Sequence, residues 1–188
     1  MKQAGEVSPG GMAAVLGADI PTLERICAEA SASGEVVQVA NDNCPGQVVI
    51  SGSKTALERA IQLAGQTGIR RVRPLAVSIA AHSPLMTLAQ ADFNQAVGQA
   101  EIVDPQVPLV GNVTALPLST AAEIRSDLQA QLTSRVRWVE SIQEMSSRGI
   151  TTFIELGSGS VLTGLIKRID EGAATLAIGS PADFDKIT

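Results

Sequence analysis

The sequence holds one histidine, His82, in the run Ser78-Ile79-Ala80-Ala81-His82-Ser83-Pro84. Imidazole titrates nearest neutrality of all side chains, so one well-placed ring can take and return a proton at a reacting centre. A ring that only satisfies structural hydrogen bonds is an equally good reading of the residue by itself. A base also needs a group to activate. The strained turn Gly-x-Ser-x-Gly, which lifts a serine hydroxyl above a strand, does not occur in the sequence. Gly157-Ser158-Gly159-Ser160 has the wrong spacing. Ser83 adjoins His82, but adjacent side chains on an extended segment point to opposite faces. A serine–histidine couple formed wholly within these residues is therefore not expected.

Two other groupings invite a chemical reading. Gly157-Ser158-Gly159-Ser160 follows an apolar run and opens a helical pattern, so its N–H groups could cradle an anion. It lacks the longer Gly-x-Gly-x-x-Gly spacing, and a turn that lets the helix pack closely is the preferred role. Arg70, Arg71 and Arg73 cluster on one short stretch. They read either as a charged edge that discourages strand pairing or as a docking patch for an acidic partner. Cys27 and Cys44 are too few for a disulfide framework and match no zinc spacing. Cys27 falls in an apolar helical stripe and reads as a core thiol. No metal or cofactor is expected.

The elements that would position His82 follow from periodicity. Residues 12–16 read as a strand, and Asp19 and Pro21 as helix-start signals. Leu23, Ile26, Cys27 and Ala30 recur at i, i+3, i+4, i+7 and define a helix face. Residues 35–40 and 47–51 read as two strands joined by a long loop over 41–46. Ser53 caps a second helix with the stripe Leu57, Ala60, Ile61 and Ala64. Residues 70–79 read as a strand which Pro74 confines to an edge. This order, β-α-β-β-α-β over 11–79, is the ferredoxin-like split βαβ. Beyond it, helices are expected at 84–100, after Thr120 with its capping-box partner Glu123, from Trp138 to Gly149, and at 161–169. Strands at 109–113, 151–156 and 175–178 alternate with them, as in a parallel doubly wound sheet. Three such strands make a thin sheet, so residues 80–188 read as part of a larger α/β domain. Apolar surface is expected there.

Composition narrows the class. The chain has 188 residues, 45% hydrophobic and 18% charged, which fits a folded domain rather than a disordered chain. No apolar run approaches the ~20 residues of a membrane span. A net charge of -5 with three Phe, one Trp and no Tyr argues against nucleic acid as the partner. The start Met1-Lys2-Gln3-Ala4-Gly5 lacks the apolar stretch of a signal peptide, so a cytoplasmic setting is expected.

Several segments now read together. They include Gly11 to Gly17, Asn41-Asp42-Asn43-Cys44-Pro45-Gly46-Gln47 with the following Val48 to Gly52, and Val77 to Met86 around His82. Gly111 to Ala115, Val136-Arg137-Trp138 and Phe153 to Leu165 continue the series. In order and spacing they resemble malonyl-CoA:acyl carrier protein transacylases, of the acyltransferase family. The resemblance implies a ferredoxin-like subdomain at 11–79 and, at 80–188, the C-terminal part of an α/β-hydrolase-like domain. It implies a malonyl group passed from CoA to a serine and then to the thiol of an acyl carrier protein, in fatty-acid or polyketide synthesis. His82 matches the family's base. A backbone carbonyl at Arg137 is implied to orient it. Asn43 and Gln47 are implied to lie near the substrate. Ala81, small where related acyltransferases carry a bulky residue, implies room for α-branched malonyl groups.

The family's serine turn, carboxylate-binding arginine and oxyanion donors belong to a part that precedes the resembled region. The chain is therefore expected to carry the base without them, and to be inactive alone. It would act with a complementing fragment, or self-associate. Two other readings stand beside this one: a non-catalytic module that binds an acidic carrier protein, and a different serine acyltransferase or hydrolase.

Overall fold

The computed structural model describes residues 9–187. The opening Met1–Gly5, read above for its lack of an apolar stretch, lies outside them. Strands β1 (Gly10–Leu16), β2 (Val37–Cys44), β3 (Gln47–Ser53) and β4 (Arg71–Pro74) form one antiparallel sheet in the order β2-β3-β1-β4. Helices α1 (Ile20–Ala30) and α2 (Lys54–Gln66) connect them. The order and topology are ferredoxin-like.

The local reasons are visible in the sequence. Asp19 accepts a hydrogen bond from the Thr22 amide at 2.8 Å and Ser53 from the Ala56 amide at 3.4 Å, each satisfying a donor left open at a helix start. Leu23, Ile26, Cys27 and Ala30 of α1 meet Leu57, Ala60 and Ala64 of α2 over Ala13, Val15, Val37, Val39, Val48 and Ile50 of the sheet. Leu23 and Ile26 are at most 1% exposed, and burying each contributes about 1.5–3 kcal/mol. Burial pushes the Cys27 thiol up to about 12, which leaves it inert at neutral pH.

Two strand boundaries differ from the sequence reading. The expected loop at 41–46 is mostly strand. β2 runs on to Cys44, and Ala40 and Asn43 fall at shifts of register that absorb the turn-forming residues. Only Pro45 and Gly46, with Gly46 at φ +72°, make the turn. At the other edge β4 ends at Pro74 and not at residue 79, with one further bond, from the Leu75 amide to the Met12 carbonyl at 2.9 Å, beyond it. The chain then folds back over the sheet's second face. Ala81 and Ile79 pack there on Met12, Ala14, Ala40 and Val49.

The second half carries helices α3 (Thr87–Gln99), α4 (Ala121–Ala130), α5 (Trp138–Ser147) and α6 (Val161–Ile169). Thr120 and Glu123 form the expected capping box on α4. Residues 109–113 do not join a parallel sheet. Strand β5 (Leu109–Val110) pairs antiparallel with β6 (Pro117–Leu118). The Ala115 amide donates to the Gly111 carbonyl at 2.9 Å and Ala115 takes φ +57°, which turns the chain back before a longer strand can form. Strands β7 (Thr152–Leu156) and β8 (Ala174–Ile178) are parallel and, among the described residues, pair only with each other. Ile154 is 46% and Leu156 74% exposed, and Val161 and Leu162 beside them are exposed as well. A parallel sheet is ordinarily covered on both faces, and here these apolar side chains are bare.

Candidate active site

His82 sits where the folded-back segment meets the second half. Its backbone is left-handed, φ +58°, in a region a non-glycine residue rarely takes. Neighbouring contacts hold that conformation. The Ser83 hydroxyl donates to the Ala80 carbonyl at 2.7 Å and accepts from the Leu85 amide at 3.3 Å. Ser83 is fully buried in this capping role, which removes it as a nucleophile. Gly10 lies directly under the segment: a Cβ there would stand 2.6 Å from the Ala80 Cβ.

The ring of His82 is fixed by backbone, not by another side chain. Nδ1 lies 3.1 Å from the Gln131 carbonyl oxygen and 3.1 Å from that of Ser134. A carbonyl can only accept, so Nδ1 must carry the proton and share it between the two. In the neutral ring Nε2 is then the nitrogen with the free lone pair, the tautomer a general base requires. Nε2 makes no hydrogen bond among the described residues.

The carbonyl expected at Arg137 is therefore corrected to Gln131 and Ser134. Arg137 precedes α5, and its carbonyl is taken by the Ser141 amide at 3.0 Å and the Ser141 hydroxyl at 2.9 Å. Its guanidinium instead clamps the surrounding loops. Nε donates to Glu140 at 2.8 Å, a second nitrogen donates to the other Glu140 oxygen, and the third reaches the Thr114 carbonyl at 3.1 Å. The Arg137 hydrogen bonds hold the Glu140 carboxyl below the usual carboxylate range.

The carbonyl-bearing loop, 131–137, is tied on three sides. Val136 exchanges hydrogen bonds with the edge of β2, its amide to the Ala40 carbonyl at 2.8 Å and its carbonyl from the Asp42 amide at 2.9 Å. Asn112 donates to the Gln131 side chain at 3.0 Å, while Asp127 accepts the Asn112 and Val113 amides at 3.2 and 3.0 Å. From the sheet, Gln38 Nε2 donates to the His82 carbonyl at 2.7 Å and the Thr133 carbonyl at 3.2 Å.

Asn43 and Gln47 are not brought to this site. β2 carries Asn43 five residues past Gln38, about 15 Å along the strand. Gln47 opposes Cys44 at the hairpin end, where its side chain accepts from Arg168 at 2.7 Å. The continued strand carries both residues to its far end, away from the His82 ring. Ala81 adjoins the site but is 8% exposed, with its side chain among Met12, Ala40 and Val49. The helix start after the Gly157–Ser160 turn is served from within the chain: Glu155 accepts the Thr163 and Leu162 amides at 2.8 and 3.1 Å. Those hydrogen bonds, Thr163 first, hold the Glu155 carboxyl below its usual range.

A histidine held through Nδ1 by two backbone carbonyls, with Nε2 unengaged among the described residues, has the geometry a proton acceptor can use. Residues 1–177 match the family model described as acyl transferase domain, and the chain belongs to that family. It is 40% identical over 185 residues to the malonyl CoA-acyl carrier protein transacylase of Bacillus subtilis, covering 98% of this chain and 58% of that protein. The crystal structure of malonyl-CoA:acyl carrier protein transacylase from Xanthomonas oryzae superposes with TM-score 0.92 at 40% identity, over 98% of this chain and 60% of the other. A type II PKS acyl-carrier protein in complex with its malonyl-transacylase matches with TM-score 0.92 at 36% identity, again over 98% and 60%. The chain thus spans less than two thirds of the length of these relatives.

Proposed function

We propose that this chain contributes the general base to a malonyl transfer from a CoA thioester to an acyl carrier protein. The observation that carries the reading is the pair of backbone carbonyls, of Gln131 and Ser134, each 3.1 Å from His82 Nδ1, with Nε2 left unengaged among the described residues. His82 would take the proton from a serine hydroxyl as that oxygen attacks the thioester carbonyl, and return it to the departing CoA thiolate. It would then take the proton of the carrier's thiol as that sulfur attacks the malonyl-serine ester, and return it to the departing serine oxygen, so protons balance over the cycle. The sequence has no Gly-x-Ser-x-Gly, so the hydroxyl is proposed to come from a polypeptide segment outside these 188 residues. The small Ala81, packed beside the site on Met12, Ala40 and Val49, is proposed to leave room so that α-branched malonyl groups are tolerated better than with Phe at position 81. A reducing cytoplasm is the proposed setting, in keeping with two free buried cysteines.

The test is malonyl transfer from malonyl-CoA to carrier protein. It is run by the chain alone and by the chain mixed with the segment of a relative that bears the serine turn. Transfer only in the mixture is expected. Transfer by the chain alone, or modification of the chain by a fluorophosphonate probe, would instead favour the reading of a different serine enzyme.

The carrier-docking reading rests on Arg70, Arg71 and Arg73. All three are exposed on or beside the edge strand β4, and none is ion-paired among the described residues. With both proteins acidic, only a local positive patch can steer their encounter. Reversing all three to glutamate is expected to weaken carrier binding at least about tenfold at low salt. Raising the salt should shrink that difference. Binding that ignores both the salt and the reversal would remove the patch from the interface.

A further inference from the structure

Gln38 lies on β2, at the edge of the sheet, and nothing in its sequence surroundings marks it. Its Nε2 is the only side-chain group among the described residues that hydrogen-bonds the His82 backbone, donating to the His82 carbonyl at 2.7 Å. The same nitrogen donates to the Thr133 carbonyl at 3.2 Å. Thr133 stands between Gln131 and Ser134, whose carbonyls hold the ring. One amide group therefore joins the strained His82 peptide to the loop that orients its imidazole. Both N–H groups are used on carbonyls, so a side chain of equal size without donors would leave both oxygens unserved.

We propose that Gln38 is a positioning residue that sets the tautomer and orientation of the His82 ring by fixing the distance between the His82 peptide and the 131–134 loop. This rests on the reading of His82 as a base, but its test does not depend on turnover. Without the Gln38 clamp, a left-handed His82 backbone has less to hold it, and the loop is free to shift by the fraction of an ångström that spoils a shared hydrogen bond. The ring would then sample the tautomer with its proton on Nε2.

Because the chain holds a single histidine, imidazole nitrogen NMR on the 188-residue chain labelled at histidine reads this site alone. The unaltered chain should show a protonated Nδ1 and an unprotonated Nε2. Gln38→Met keeps length and removes the donors, and is expected to lower the Nδ1-H to Nε2-H ratio roughly tenfold, the size of one ordinary lost hydrogen bond. Gln38→Lys keeps donors at similar reach and should hold the ratio near that of the unaltered chain. A purely space-filling role predicts the reverse order, with Met harmless and Lys disruptive.

An unchanged ratio in a folded Gln38→Met chain, checked by circular dichroism, would overturn the proposal. So would an unaltered chain whose ring is not mainly protonated on Nδ1, a result that needs no variant to fold. Failure of transfer in the completed enzyme with a normal tautomer shift would instead sink the base reading and leave the clamp standing.

Discussion

His82→Asn should lower malonyl transfer by the serine-completed protein about 10²–10⁴-fold, the usual contribution of a positioned acid–base group. Asparagine suits this experiment because of the backbone. His82 occupies φ +58°, and asparagine is among the few side chains that take the left-handed region readily. Alanine would add strain to the loss of the base and blur the result. Carrier binding, proposed to run through the exposed arginines beside β4, should be unaffected. A variant that retains more than about a tenth of the parent rate would show that proton transfer at Nε2 is not the step His82 serves.

The second large effect is on stability. Gly52 lies in the middle of the sheet, paired with Gly11 on one side and Val37 on the other. A Cβ at Gly52 would collide with the Val36 carbonyl oxygen and stand 2.5 Å from the Val37 Cα. These are backbone atoms in the next strand and cannot swing aside as a flexible side chain would. Gly52→Ala is expected to cost about 3 kcal/mol, at the upper end for overpacking. That corresponds to a melting temperature lower by roughly 6–12 °C for a chain of this length. Gly65→Ala in α2 is the control: nothing lies within 4 Å of its added Cβ, and alanine suits a helix better than glycine. It should leave the melting temperature equal or slightly raised. Equal melting of both variants in a thermal scan would contradict the packing at Gly52.

Much of the first half was legible before any coordinates. Its helices announce themselves through side chains, by the stripe at Leu23, Ile26, Cys27 and Ala30 and by the caps Asp19 and Ser53. Strand partners are another matter. Residues 109–113 look extended, and are, but their apolar pattern says nothing about which neighbour they take. A backbone turn at Gly111 and Ala115 decides that. The same limit explains the site. His82 could be picked out as a lone titratable ring, whereas the groups that hold it are carbonyls of Gln131 and Ser134. Every residue has such a carbonyl, so no sequence signal distinguishes these two. The resemblance pointed to the neighbouring stretch at Val136–Trp138, close along the chain but wrong in the residue used. The turn-forming residues at 41–46 were misread for a related reason. Their turn-like composition hid the register shifts that let the strand run on through them.

The bare parallel pair β7–β8 bears on how such a chain is made. As the nascent polypeptide leaves the ribosome, the sheet of β1 to β4 can close within about 65 residues, because each strand finds its partner in that window. The β7–β8 pair comes late and has no third strand among the described residues, and an unfilled edge of that kind can recruit a strand from another molecule.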